Sequence, residues 1–584
     1  MKSNFSRRSF IKSTLLLSGG VLLASNFISC SQDEDQIEAT PLNLKPSNFK
    51  EGVASFDPTT TSVIIWTRFT SNSSESIEIT WEISVDAKFE KILRQGKIFT
   101  DESRDYTVSV DVQNLPSNKT FFYRFYNVKT KEVSVVGETI TLPSQSDNIS
   151  QVKMAVCSCA NYAAGLFNVY EAMANSDVDV VVHLGDYIYE YGAGEYGTNT
   201  YTASLGRTHS PANEIVTLEE YRTRYKQYRS DEKLKYLHQK KPFIAVWDDH
   251  EIANDFYNGG AENHQANEGD LDDRKANALK AYSEYIPLKT GDDNRIYRDF
   301  HFGNLVSLYM LDTRVIARDK QLEYSNYFLP DNTFNAASFQ KDLMNPNRQL
   351  LGIEQLSWLG SKVNGSSSKW QVLGQQVLMT KMMLPAELLM LMAKINAEID
   401  ATGSAQPATF QAFQATVGSL VTIKSRVLAN DPTVTVAEKT RLATVLPYNL
   451  DAWDGYPIER EKLYSILNGK KVVTLAGDTH NAWQGELKSA SNKVVGLELA
   501  TASITSPGLE KYLGLGASGS TQIAQFEQAL NLLIDDLEYS NLSKRGYLKA
   551  TFSASDVKAE WFFASSVFEA GALVINEKTI VKNL

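Results

Sequence analysis

The sequence predicts an α/β protein preceded by a β-sandwich, and three observations carry that reading. Beyond Val152, short apolar runs alternate with long helical stretches, as buried strands and their covering helices do. Before that point, apolar and polar residues alternate in short runs broken by Ser, Asn and Pro, which is the period of antiparallel strands. Several later apolar runs end in a burst of polar, reactive residues, and α/β folds place ligands at the carboxyl ends of their strands. With 584 residues, 43% of them hydrophobic and 22% charged, the chain exceeds one ordinary domain and can bury large cores.

The first thirty residues belong to neither region. Ser6-Arg7-Arg8-Ser9-Phe10-Ile11-Lys12 precedes an apolar run from Ser13 to Ile28, too early and too short to be core, so residues 1–30 are expected to be an export signal. The paired arginines before Phe10 resemble a twin-arginine signal, which makes the twin-arginine translocase a transient partner and implies folding before export. Phe27-Ile28-Ser29-Cys30 resembles a lipoprotein box, with Phe27 where Leu is usual; Cys30 is the expected lipid acceptor and residues 31–46 the tether. The expected location is periplasmic or at a membrane or cell surface, held only through a lipid anchor. Cys157 and Cys159 remain, too few and too close for a disulfide scaffold.

Residues 47–145 are expected to form the sandwich. Ser62-Val63-Ile64-Ile65-Trp66-Thr67-Arg68 and Ile77-Glu78-Ile79-Thr80-Trp81-Glu82-Ile83 alternate with period two, and the size and half-buried tryptophans resemble fibronectin type III domains. Residues 150–570 form the α/β region. Within it, residues 385–444 repeat Ala, Leu, Met, Gln and Glu at helical spacing without a chemical cluster and are read as an inserted helical hairpin; the Met-rich stretch there is packing.

Six strand ends carry chemistry. Residues 153–156 lead into Cys157, Ser158 and Cys159, and residues 180–184 into Gly185, Asp186, Tyr187 and Tyr189. Residues 243–247 lead into Asp248, Asp249, His250 and Glu251, and residues 306–311 into Asp312, Thr313 and Arg314. Residues 370–373 lead into Gln375 and Gln376, and residues 472–476 into Gly477, Asp478, Thr479 and His480. Carboxylates at the mouths of buried strands cost desolvation unless they are paired or bind a cation. Adjacent Asp248 and Asp249 also repel one another, and cations on a shared rim resolve both problems. Gly185 lets the chain turn so that Asp186 points over the strand end, with Tyr189 returning to the same place. Asp478 and His480 alternate around Thr479 and are expected to point the same way from an extended segment.

Each piece has a bland alternative: a helix cap at Asp248-Asp249-His250, a small buried hydrophobe at Cys159, or a salt bridge between Arg314 and Asp312. His183 reads as a hydrogen-bonded core residue and Tyr187 as a strand-end aromatic. Taken together and in order, the six bursts favour a metal site. A formal net charge of -11 leaves no broad basic surface, so nucleic-acid coating is disfavoured and a phosphate-bearing substrate must be drawn by something local, such as bound cations.

These residues resemble the PhoD-type alkaline phosphatases and phosphodiesterases. The resemblance spans nearly the whole chain after the signal: Gly52-Val53-Ala54-Ser55-Phe56-Asp57-Pro58, Trp66-Thr67-Arg68, residues 183–191 and Gly206-Arg207-Thr208-His209-Ser210-Pro211. It continues through Trp247-Asp248-Asp249-His250-Glu251, Leu311-Asp312-Thr313-Arg314, Asp451-Ala452-Trp453-Asp454-Gly455-Tyr456-Pro457, residues 477–481 and Ser503-Ile504-Thr505-Ser506-Pro507-Gly508. Phe56 stands where the family usually has Gly. The resemblance implies a four-layered α/β/β/α metallophosphoesterase sandwich related to purple acid phosphatases, holding ferric iron and calcium. It implies Cys159, Asp186, Tyr189 and His480 as iron ligands, Asp186 as the bridge between the metals, and Asp249 and Asp478 as ligands of the second cation. Thiolate, phenolate and carboxylate together neutralise a trivalent ion, and carboxylates suit calcium.

The expected reaction is hydrolysis of small phosphate esters by in-line attack of a metal-activated water, with Asp186 in the catalytic centre, His250 delivering a proton or positioning substrate, and Arg314 holding the phosphate. Two other readings stay open: a phosphodiesterase acting on phospholipid or teichoic acid, and a surface glycan-binding or adhesion lipoprotein whose metal site is structural.

Overall fold

The computed structural model describes residues 45–46, 48–71, 74–290, 295–331, 333–516 and 518–584. The expected export signal and Cys30 lie outside the described residues.

Two sheets carry the α/β region. One is nine-stranded, and its middle consists of the parallel strands Gln151–Cys157, Val180–His183 and Phe243–Ala245. The other is seven-stranded, with Val306–Met310, Trp370–Gly374 and Lys471–Ala476 running parallel at its centre. Both are buried on two faces, which is why their strands read as unbroken apolar runs rather than alternating ones.

Side-chain alternation shows how the sheets share the interior. In the seven-stranded sheet Leu308, Met310, Val372, Val473 and Leu475 enter one apolar cluster together with Val156, Val182 and Ile244 of the nine-stranded sheet. Their neighbours Tyr309, Leu311, Leu373, Val472 and Ala476 face the other way, into a cluster with Leu359 and Leu463 of the helices Gly352–Gly365 and Pro457–Leu467. The helices Leu218–Arg229 and Leu271–Tyr285 pack Tyr225 and Tyr282 into the first cluster. The former begins at a capping box in which Thr217 and Glu220 satisfy each other's backbone N–H groups.

The amino-terminal strands are not confined to a body of their own. Val53–Phe56, Val63–Arg68 and Thr107–Val112 continue the nine-stranded sheet, because Val53–Phe56 pairs in parallel with Phe243–Ala245 at Phe56 and Phe243. A separate six-stranded sheet containing Ile77–Ser84 and Thr120–Asn127 covers them through a small core of Val63, Ile65, Ile79, Ile83, Phe121 and Phe125. The sandwich therefore shares one of its two sheets with the region that follows.

The inserted residues form three helices, Ala386–Thr402, Pro407–Leu428 and Val436–Ala443, where a hairpin was expected. Thr435 and Glu438 form a second capping box that starts the third. A two-stranded ribbon, Met383–Pro385 with Val445–Pro447, closes the base. Leu388, Met392, Phe413 and Leu420 pack with Ile523, Phe526 and Leu530 of the helix Thr521–Leu533, so the methionines are core material. Among the described residues, no helix is long and apolar enough to cross a membrane.

Candidate metal centre

The six strand ends meet. Cys159 N–H donates to the carbonyl of Gly185 (3.1 Å), and Gly477 N–H donates to that of Gln376 (2.7 Å). Gln376 braces the middle: its amide donates to the carbonyls of Trp247 (2.6 Å) and Leu311 (3.1 Å), and its oxygen accepts from Thr313 Oγ1 (2.6 Å). Glu251 supplies a second brace. Its buried carboxylate accepts from the backbone N–H groups of Asp186 (3.0 Å), Tyr187 (2.6 Å) and Asp248 (2.7 Å), locking two of the strand ends together. Gly185 sits at φ +102°, and a Cβ there would collide with Asp248. That close approach brings the two acidic turns side by side, and a residue with a side chain could not take the position.

Three groups of potential ligands result. Cys159, Asp186 and His480 form the first, Asp186, Asp249 and His250 the second, and Asp248, Asp249 and Asp478 the third; within each, the ligand atoms lie within 4.8 Å of one another. Asp186 belongs to the first two and Asp249 to the last two, so the groups form one continuous chain. Tyr189 joins the first group through its hydroxyl, 2.8 Å from Asp186 Oδ2 and 3.3 Å from His480 Nε2.

One local expectation fails. Asp478 and His480 are not on an extended segment: both have left-handed backbone angles, φ +62° and +63°, in a turn that follows the strand ending at Ala476. Their side chains consequently serve different groups. His480 turns to Cys159 and Asp186, whereas Asp478 turns to Asp248 and Asp249.

His480 is oriented from behind. Its Nδ1 donates to the carbonyl of Pro507 (2.7 Å), which leaves Nε2 as the nitrogen facing the cluster with a free lone pair. Ser506 Oγ lies within hydrogen-bond distance of the carbonyl of Cys159 (2.9 Å) and the Tyr189 hydroxyl (2.7 Å), so the Ser506-Pro507 segment supports three members of the first group. His250 is held by Glu190, a fully buried carboxylate that accepts a hydrogen bond from its Nδ1–H (2.7 Å) and also accepts from Asn254 N–H and Asn263 Nδ2 (2.8 Å each).

Arg314 is buried among carboxylates. Its Nε pairs with Asp248, Nη1 with Asp451 (2.8 Å) and Nη2 with Asp478 (2.9 Å), while Asp312 takes only its backbone N–H (2.8 Å). All three guanidinium nitrogens thus serve the acidic cluster rather than facing open space. Of the residues outside the metal set, His183 lies in its strand with its ring nitrogens 3.4 Å from Tyr170 Oη and 3.3 Å from Gly185 N. Tyr187 bonds His238 (2.9 Å), away from the cluster.

Without cations the cluster is electrostatically overfull. Burial, reinforced by the neighbouring carboxylates, lifts Asp186 and Asp478 well above the ordinary carboxylate range, and Asp248 to about 7. Asp249 is the exception. Burial opposes its ionisation, but Arg314 and His250 outweigh that and hold it at about 2. Burial raises the Cys159 thiol and the Tyr189 phenol and lowers His480 to about 3. Asp186 Oδ1 and Asp248 Oδ2 are buried with no hydrogen-bond partner. Orphaned carboxylate oxygens beside a thiol, a phenol and an imidazole lone pair are the donor set that a cation fits.

Sequence reasoning missed Glu190, Asp451 and Ser506 as members of the site and gave Glu251 no role. A carboxylate that follows a buried acidic pair, as Glu251 does, was a visible signal; the others act across long separations in the chain.

Comparison with known proteins agrees with this geometry. The model of the PhoD-like phosphatase family matches residues 154–561, which enclose every potential ligand named above. The chain belongs to the PhoD-like phosphatase family. The model of the PhoD-like phosphatase N-terminal domain matches residues 36–143. Alkaline phosphatase D of Bacillus subtilis (strain 168) is 33% identical over 599 aligned positions, covering 99% of this chain and 88% of that protein. A solved structure described as PhoD superposes with a TM-score of 0.71 and 31% identity, covering 93% of this chain and 92% of that one. As a PhoD-like phosphatase, the protein is a phosphoric ester hydrolase of mixed α/β architecture.

Proposed function

We propose that the protein is an exported alkaline phosphatase/phosphodiesterase that acts on small phosphate esters with a ferric ion and calcium. The observation that carries this reading is the chain of three ligand groups joined through Asp186 and Asp249, with orphaned oxygens on Asp186 and Asp248. Cys159, Asp186, Tyr189 and His480 would hold the iron; Asp186, Asp249 and Asp478 would hold the second cation. The facing sheets and their helices fit α/β/β/α layering of the purple-acid-phosphatase kind, and the amino-terminal strands a fibronectin-III-like sandwich.

Bound cations supply neutralisation for the phosphoryl oxygens and an acidified water for in-line attack. The residues supply the rest. Pro507 and Glu190 fix the two imidazoles, so that His480 presents Nε2 as a ligand and His250 stays protonated, its Nδ1–H on Glu190. Glu190, Asp249 and Asp186 raise His250 well above an ordinary histidine against the opposing effect of burial, which suits proton delivery to a leaving alkoxide. Arg314 balances the acidic cluster and would reach a phosphate oxygen by releasing one of its carboxylates.

The Arg7-Arg8 pair and Cys30 support twin-arginine export and a lipid anchor, with the translocase as a partner during export. Metal analysis of protein purified from its own export route, with bis-p-nitrophenyl phosphate turnover measured before and after chelation, tests the reading. Iron and calcium should co-purify and activity should fall with their removal; full activity in a protein without iron would overturn it.

A further inference from the structure

A cleft of about 710 Å³ shares a wall with the metal centre. Pro507 belongs to both: it lines the cleft, and its carbonyl holds His480 Nδ1. Asn199, Lys511, Lys544, Arg545 and Phe568 line the remainder, and Tyr201 stacks on Phe568 with ring centroids 4.6 Å apart. The volume is that of a small-molecule site.

The lining is cationic and incompletely satisfied. Arg545 pairs through Nη2 with Glu510, which also lines the cleft. The Arg545 side chain is only 10% exposed, and its Nη1 is buried with no partner, as is Oε2 of Glu510, the single carboxylate set against the three cations of the lining. Lys544 pairs with Glu577, which is not part of the lining. Lys511 forms no ion pair among the described residues; its ammonium lies 6.0 Å from the ring of Tyr196, whose hydroxyl is 3.3 Å from His480 Nδ1. A buried guanidinium N–H without an acceptor is a standing desolvation cost, and a charged oxygen acceptor removes it.

We propose that this cleft is an oxyanion subsite that takes a phosphate- or sulfate-type group. The group is carried either on the distal arm of a phosphodiester substrate or on a free small anion; the first source rests on the phosphodiesterase reading above, the second does not. Arg545 and the two lysines hold the oxygens, and Asn199 and Phe568 receive whatever bears them. Contact with Pro507 places the occupant on the residue that braces His480.

Two esters that release the same p-nitrophenol separate the sources in the metal-loaded, full-length enzyme: thymidine 5′-(p-nitrophenyl phosphate) and the same compound with a 3′-phosphate. For a substrate arm, kcat/KM is expected to be roughly tenfold higher for the 3′-phosphorylated ester, through KM, and Lys511→Ala/Lys544→Ala brings the ratio near one. For a free anion, the ratio is near one throughout, and calorimetry with sodium sulfate shows saturable binding that the double variant loses. Arg545→Gln is the sharper change but strands Glu510, so the lysine pair is tested beside it. Equal ratios together with no variant-sensitive sulfate binding overturn the subsite. If neither ester is hydrolysed, the phosphodiesterase reading fails, and the sulfate titration alone decides the subsite.

Discussion

The Tyr189 hydroxyl donates to Asp186 Oδ2 at 2.8 Å, bringing a phenol and a carboxylate from one short turn onto a single point. Burial keeps the phenol protonated in the metal-free fold, so only a strong Lewis acid removes its proton. Tyr189→Phe is expected to abolish the visible phenolate-to-iron absorption of the purified protein and to weaken iron retention, while the fold persists on Ser506 and the surrounding core. Absorption spectra and iron content of the variant check this. An unchanged band would remove Tyr189 from the iron.

Asp186, like Asp249, belongs to two of the three ligand groups, and it is the member that joins the Cys159 and His480 group to the rest, so its loss should cost more than that of a residue in one group. Asp186→Asn is expected to lower turnover of bis-p-nitrophenyl phosphate by at least about 10³-fold. Activity within about threefold of the wild type would refute the bridging role, since a group that merely lined the site would be dispensable on that scale.

Glu251 never needs to touch substrate to matter. Glu251→Ala leaves three buried backbone N–H groups without their acceptor and is expected to destabilise the protein by about 3 kcal/mol or more, read from denaturant unfolding. Glu251→Gln keeps an acceptor oxygen and should cost less. Equal stability of all three proteins would mean that the two acidic turns hold together without the clamp.

Metal removal should make stability depend on pH with a definite sign. Above about pH 7.5 the histidines of an unfolded chain are almost entirely neutral, so the buried His183, His209 and His480, held near 3 by burial, add little further slope. Asp186 and Asp478, raised well above the carboxylate range by burial, and Asp248 in part, at about 7, still bind protons in the fold that the unfolded chain has released. The native state then holds more protons than the unfolded one, and stability must fall as pH rises. Chelated protein is expected to melt lower at pH 9 than at pH 7.5, whereas the metal-loaded form, with cations in place of those protons, loses this decline. A chelated protein that melts higher at pH 9 would contradict the assignment.

Much of the site was legible because each ligand follows an apolar run, and a run ending in Asp, Cys or His marks a strand tip wherever the strand lies. Convergence of Cys159, Asp186, Asp249 and Asp478 needed only that rule. What escaped was set by backbone angle or by long-range pairing. The left-handed angles at Asp478 and His480 reverse the directions that an extended strand implies, and non-Gly residues seldom advertise them. Glu190 is sixty positions from His250, and Asp451 lies 137 from Arg314, separations over which no local pattern speaks. The shared sheet was hidden for the same reason, since its junction registers through one pair, Phe56 and Phe243.

That junction decides what can be cut from this protein. Asp57 lies just beyond it, forming a buried ion pair with Arg298 (2.6 Å), and Trp66 Nε1 donates to the carbonyl of Glu284 (2.7 Å), so the amino-terminal strands are stitched to the hydrolase at several depths. A fragment starting after residue 150 would bare the hydrogen-bonding edge of Phe243–Ala245 and strand a guanidinium in apolar surroundings. Such a fragment should self-associate through that edge rather than behave as a minimal phosphatase, and the two regions are expected to be inherited, to fold and to unfold as one unit.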